Sequence, residues 1–406
     1  PRTCPQDCPS SPPPPPPTTG VESCGCGSGL PASRAKAGRS YVRELTVAPG
    51  LPPTQYQIRL PSNYDINAPG GIPVLLYLHG WGGSFRSLPA SVARHAKANG
   101  YIVVSPTGYG DGGRNSWNGF RSAQLSTCPK EGYSETDCDA GPRGPSPYAG
   151  TSTCVDIDNT QFNYCYDSCK DADTGACPKC NGDGGINNTW GTEYNGEYTC
   201  YWTTCLDSVA QIEAILNDIE RDYCIDRSMV WVTGCSNGGM FVYELAKDTR
   251  TSQRFAGYLP QVGSPHPGFE QYTTPNSVPP PKSFMGFWGA IDTTVPGIAN
   301  FPSNDPVVAL DTNFNGWLYM PARTITSQWA RMNGLPDAPT EYDASEYASS
   351  LECHAWNDGQ NPASVEIVEC FFQGGHSCPG FAGMPQMMWD FAVRHPNENV
   401  PEQACH

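Results

Sequence analysis

Apolar and polar positions along the 406 residues fall into short runs of two kinds, and the two kinds alternate. Residues 74–78, 102–105, 229–233 and 283–288 are near-continuous apolar runs, the pattern of strands buried on both faces of a parallel sheet. Residues 364–372 predict another strand. Tyr41–Thr46 and Gln55–Leu60 instead alternate apolar with polar, as half-exposed antiparallel strands do. Helical spacing fills the intervals. A helix is predicted over 89–99 and stopped by Gly100. The clearest one is predicted over 208–223, with Val209, Ile212, Ile215, Leu216 and Ile219 on one face and a Ser208–Gln211 capping box at its start. Further helices are expected over 238–247 and 384–394. Strands alternating with helices predict the α/β class: a mostly parallel sheet with helices on both faces.

Two stretches break that rhythm. Residues 1–38 hold the polyproline run Ser10–Pro17 among Cys4, Cys8, Cys24 and Cys26. They read as a Cys/Pro-rich tail or linker, stiff as polyproline II, that joins the chain to an upstream domain or a wall attachment. A ligand for an SH3-like domain is the competing reading, and it suits a secreted chain poorly. Residues 125–205 are dense in Cys, Gly, Asp, Asn and Tyr, lack helical period and are too long for an ordinary connection. They predict a disulfide-stapled insertion, a flap over one end of the sheet, within a single large domain over 39–406.

Charge narrows the partners. There are 24 Lys and Arg against 40 Asp and Glu, a net charge of −16, with no basic stripe, so nucleic acid is not an expected partner. No apolar run approaches the roughly 20 residues of a membrane span. Nineteen cysteines predict an oxidising, extracellular location. Zinc is the alternative, given the close pair Cys177 and Cys180, but the other cysteines scatter and His numbers only seven. The odd total leaves at least one thiol unpaired within the chain. Asn187 opens a glycosylation sequon, and a chain starting at Pro1 with no signal peptide is expected to be a processed form.

The chemistry centres on Gly234-Cys235-Ser236-Asn237-Gly238, which follows a buried strand and precedes a helix. That context makes it a nucleophile elbow. The turn is so tight that flanking side chains would collide, and the serine is pushed out at the carboxyl end of the strand. A serine needs a base, and the base an orienting acid. Asp292 and His376 each come just after an apolar strand, in the chain order Ser, Asp, His. His95 and His395 fall in helices, His406 is terminal, and His266 and His354 follow no long strand. Asp292 is less unique than His376, because Asp305 and Asp311 lie downstream in loop-like sequence. The oxyanion hole is expected from the backbone N–H of Asn237 and of Trp81, with Gly82 as the alternative donor in Leu78-His79-Gly80-Trp81-Gly82-Gly83. His79, just before that glycine turn, is expected to shape the loop.

Together with Ser105-Pro106-Thr107-Gly108, Trp117-Asn118, Gly289–Pro296 and Gly374–Gly380, these motifs occur in an order that resembles the polyhydroxybutyrate depolymerase-like and feruloyl esterase-like secreted carboxylesterases. The resemblance covers most of 40–396. It implies an α/β-hydrolase fold, ester hydrolysis through an acyl-enzyme, Ser236, Asp292 and His376 as triad, and Trp117 lining the acyl pocket. This chain departs in its large insertion, and in Gly289-Ala290-Ile291-Asp292 where His-Gly-Thr-Asp is usual. Tannase-like and some feruloyl esterases tie the nucleophile and base loops through cysteines placed like Cys235 and Cys378, which implies a disulfide here. The alternative is that Cys235 is an isolated thiol behind the elbow and Cys378 bonds elsewhere.

Asp311, Asn313 and Asn315, followed by Gly316, match the first half of a calcium loop, but the twelfth position is Ala322. A plain Asn/Gly turn is the preferred reading, and no other metal or cofactor is expected. The chain as a whole reads as a secreted serine carboxylesterase acting on feruloyl or acetyl esters of wall polysaccharides or on polyester oligomers. The competing reading is a non-catalytic extracellular structural or adhesion protein that retains the fold.

Overall fold

The computed structural model describes residues 20–27, 30, 35–48, 51–110, 114–118, 204, 206–265, 282–299, 309–310, 318–357 and 365–402. The polyproline run, the 125–205 insertion, Asn187 and the calcium-loop residues Asp311, Asn313 and Asn315 lie outside them, apart from Thr204 within the insertion.

Two antiparallel strands open the domain, β1 (Ser40–Leu45) and β2 (Thr54–Arg59), followed by β3 (Ile72–Leu78), α1 (Ala90–Asn99) and β4 (Ile102–Pro106). Then come α2 (Ser208–Asp222), β5 (Ile225–Cys235), α3 (Asn237–Lys247), β6 (Gly257–Gln261) and β7 (Ser283–Gly289). A two-residue pair, β8 (Ala309–Leu310) and β9 (Leu318–Tyr319), precedes α4 (Ala322–Met332). The chain ends through β10 (Thr340–Glu341), β11 (Glu352–Trp356), β12 (Ile367–Phe372) and α5 (Met384–Arg394).

Among the described residues, ten strands form one sheet in the order β1-β2-β4-β3-β5-β6-β7-β12-β11-β10. From β4 to β12 every neighbouring pair is parallel. The strands outside that block pair antiparallel. This order, with the crossover helices and the turn after β5, is the α/β-hydrolase fold.

Alternation along the strands makes two cores. Val74, Leu76 and Leu78 face one side with Ile212, Ile215, Phe241 and Trp329, so α2, α3 and α4 cover that face. Leu75 and Tyr77 face the other with Val92, Met388 and Phe391, under α1 and α5. All five apolar positions predicted along α2 are fully buried. Its cap differs from the expected Ser208–Gln211 box. Asp207 is the N-cap and accepts from the Ala210 N–H, while the Ser208 hydroxyl accepts from the Asn118 N–H. Gly100 ends α1 with φ 76°, a left-handed value that glycine adopts without strain. Among the described residues no helix is long and apolar enough to cross a membrane.

Candidate active site

β5 lies between β3 and β6, so its end is held on both sides when the chain turns into α3. The turn is sharp enough that a Cβ on Gly234 would stand 2.2 Å from the Gly238 carbonyl oxygen, and one on Gly238 would stand 2.6 Å from the carbonyl oxygens of Leu78 and His79. Only glycine fits at either place. Ser236, between them, takes φ 54° and ψ −119°, a conformation L-residues seldom hold, which its surroundings impose. Its N–H donates to the Gln261 carbonyl at the end of β6. Val262, next along, is a β-branched residue at φ 41°. Sequence gave no sign of this second strained position beside the turn.

The structure brings Ser236, His376 and Asp292 together. His376 Nε2 is 2.9 Å from Ser236 Oγ, and His376 Nδ1 is 2.7 Å from Asp292 Oδ2. The Asp292 side chain is fully enclosed, whereas His376 keeps about a quarter of its side chain exposed (23%). The second Asp292 oxygen accepts from the N–H groups of Thr294 (2.8 Å) and Val295 (3.1 Å). These donors fix the orientation of the carboxylate. Sequence reading missed them, although an Asp followed by a short polar turn is the signal that would have found them. The Asp292 and His376 loops are stitched together by backbone: Ala290 N–H donates to the Phe372 carbonyl and Ile291 N–H to that of Gly374. Cys235 and Cys378 form a disulfide with Cα atoms 5.8 Å apart, joining the Ser236 and His376 loops across 143 residues.

Beside Ser236 lies the loop after β3. A Cβ on Gly80 would meet Cβ of Ser236 at 3.5 Å, so the loop runs against that residue. His79 shapes it. This ring is 1% exposed. Its Nδ1 is 2.7 Å from the Gly80 carbonyl, and its Nε2 accepts from the Gly108 N–H. An acceptor at one nitrogen and a donor at the other fix the neutral tautomer with the proton on Nδ1. Burial lowers its pKa to about 4.

Trp81 stands in this loop with the Arg114 guanidinium 4.5 Å above its ring. Gly82, the alternative oxyanion donor, is committed elsewhere: its N–H donates to the Asn115 carbonyl at 2.7 Å. Asn237 is the first residue of α3, so its N–H lies at the positive end of the helix. Trp117 is drawn into the same region, but its side chain is fully buried and stacks on Phe241 rather than presenting a face to an acyl group. Among the described residues, no group of three or more His, Cys, Asp or Glu could hold a metal ion.

No family model matches the chain. No curated protein matches its sequence. Solved structures do resemble it in fold. One is an acetyl xylan esterase from Aspergillus awamori, at 14% identity and TM-score 0.46, covering 87% of this chain and 99% of that one. Another is an S-formylglutathione hydrolase from Agrobacterium tumefaciens, at 10% identity and TM-score 0.41, covering 89% and 95%. A ferulic acid esterase is similar at 12% identity and TM-score 0.40, covering 88% and 98%. At such distance, the fold assignment rests on the strand order and the elbow.

Proposed function

We propose that this chain is a secreted serine carboxylesterase. The observation that carries the reading is the hydrogen-bonded chain from Asp292 through His376 to Ser236, set on a strained turn at the carboxyl end of a central strand. In the proposed cycle His376 Nε2 takes the Ser236 proton as Oγ attacks the ester carbonyl carbon. Asp292 keeps the other imidazole proton on Nδ1 and stabilises the imidazolium that forms. The tetrahedral oxyanion is held by the N–H groups of Asn237 and Trp81. Collapse expels the alcohol, which receives its proton from His376 Nε2. Water then repeats the sequence on the acyl-enzyme and releases the acid.

The substrates proposed are feruloyl or acetyl esters of wall polysaccharides, or polyester oligomers. Secretion is supported by the disulfides Cys26–Cys224, Cys235–Cys378 and Cys353–Cys370, which an oxidising compartment would preserve. The test is hydrolysis of p-nitrophenyl acetate, methyl ferulate and hydroxybutyrate oligomers by the wild-type protein and by Ser236→Ala. Turnover of at least one ester, abolished by the substitution, is expected. No turnover of any, or turnover that survives in Ser236→Ala, would overturn the reading.

A further inference from the structure

The two N–H groups assigned to the oxyanion come from segments far apart in the chain. Asn237 begins α3, whereas Trp81 sits in the loop after β3. Their spacing must match one oxygen atom, so something has to hold α3 and that loop at a set distance. Trp117 stands between them. Its backbone is gripped at both polar atoms by the Asn237 carboxamide: the Trp117 N–H donates to Asn237 Oδ1 at 2.8 Å, and Asn237 Nδ2 donates to the Trp117 carbonyl at 3.2 Å. The Ser116 hydroxyl donates to the same Oδ1 at 3.3 Å. On the other side the Trp117 indole N–H donates to the His79 carbonyl at 2.8 Å, where the loop carrying Trp81 leaves β3. The indole ring lies flat on Phe241 of α3, with centroids 5.5 Å and planes 4° apart. It also packs on the His79 ring at 4.9 Å. Asn237 and Trp117 are both essentially inaccessible to solvent, at 1% and 0% exposure.

We infer that Trp117 is a positioning residue for the oxyanion hole, setting the separation of the Asn237 and Trp81 N–H groups through its bonds to the Asn237 carboxamide and the His79 carbonyl. The inference rests on the serine esterase reading and adds to it a residue that touches neither substrate nor the reacting atoms. Donors in an oxyanion hole act through preorganisation, and the developing oxyanion is a stronger acceptor than the ground-state carbonyl. An error in donor spacing therefore falls on the transition state. It lowers kcat and leaves substrate affinity nearly unchanged.

The test is steady-state hydrolysis of p-nitrophenyl acetate by wild type and Trp117→Phe, with a thermal melt of each. Phenylalanine keeps a ring against Phe241 and deletes the indole N–H. The expected result is a loss of about 10- to 100-fold in kcat with KM within about twofold. A kcat within about twofold of wild type, with only the melting temperature lowered, makes the residue structural and overturns the inference. A raised KM at unchanged kcat makes Trp117 a substrate contact and overturns it too. If Trp117→Phe does not fold, Asn237→Asp decides the matter through its pH profile. A protonated Asp regains an O–H donor toward the Trp117 carbonyl, and burial raises the carboxyl pKa, so the variant-to-wild-type kcat ratio should climb as pH falls. A ratio flat with pH overturns the inference. A wild-type protein with no ester hydrolysis at all is a different failure, that of the esterase reading itself.

Discussion

His79 lies against the same turn as Ser236 yet takes no part in the proposed proton transfer, and the reason is local. Both ring nitrogens are occupied by backbone partners and the ring is shut away from water. Its pKa, about 4 in the folded protein, lies below the ordinary histidine value of about 6.5. The unfolded chain therefore binds the extra proton first as pH falls. The stability contributed by the neutral ring is fully present above about pH 6.5 and is lost progressively down to about pH 4, by an amount on the order of 3 kcal/mol. In urea unfolding, His79→Gln should be less stable than wild type at pH 7 but should lose less of its stability between pH 7 and pH 5. Parallel losses in the two proteins would show that His79 is not buried neutral. In the proposed cycle Asp292 makes the opposite case, an acid that acts only through its neighbour. Asp292→Asn should retain the fold and lower kcat by roughly three to four orders of magnitude, because the amide favours the wrong imidazole tautomer. A loss below about tenfold in steady-state kinetics would assign the orienting role to another carboxylate, with Asp305 or Asp311 the next to test.

At the scale of elements, the site depends on backbone approaching backbone at the carboxyl ends of β3, β5, β6, β7 and β12. Gly238→Ala would push a methyl group into the carbonyl oxygens of Leu78 and His79, at 2.6 Å. Neither can retreat without moving β3. The variant is expected to lose several kcal/mol of stability and most of its turnover, as read by thermal melts and p-nitrophenyl ester hydrolysis. Near-normal values of both would mean the elbow is looser than its geometry. The legibility of these elements in the sequence follows from the same physics. β3, β5 and β7 are buried on both faces and so are written as apolar runs, and the elbow is legible because its glycines are sterically compulsory. β6 was not foreseen, because Gly257 and Pro260 break the run. Pro260 pairs with Gly234 of β5, while the pairing with β7 joins Gly257, Tyr258 and Gln261 to Ser283, Phe284 and Phe287 and leaves out Leu259 and Pro260. α4 was also missed, its buried Ile325 and Trp329 diluted by Thr, Ser and Arg. The cap of α2 went to Asp207 because Ser208 serves Asn118 instead, a long-range contact with no local trace. The resemblance places Trp117 against substrate, and only the fold reveals that Asn237 and His79 hold it.

The whole molecule is stapled at both ends of β5. Near its carboxyl end is the Cys235–Cys378 bond. Just before its first residue, Cys26 is bonded to Cys224 across 198 residues. Residues 21–23 add to that edge through Arg227 N–H to the Val21 carbonyl and Ser23 N–H to the Ile225 carbonyl. Ten residues, Ile225 to Gly234, lie between Cys224 and Cys235, a span of roughly 35 Å at the usual rise. Their functions should therefore separate. Replacing both Cys26 and Cys224 with alanine should lower stability by up to about 5 kcal/mol on the chain-entropy model, and leave kcat near the wild-type value. A kcat that fell with it would show that the two ends of the strand are coupled.

A serine esterase must pass through an acylated Ser236, and trapping that acyl group reaches the chemistry without inference from rates. The protein is mixed with a p-nitrophenyl ester and quenched in acid within the first turnover, and its peptides are weighed. A release of p-nitrophenol stoichiometric with enzyme, and an added acyl mass on the peptide containing Ser236 that is absent from Ser236→Ala, is the predicted result. Turnover of the ester with no acyl mass on that peptide, or with the mass on another residue, would contradict the account.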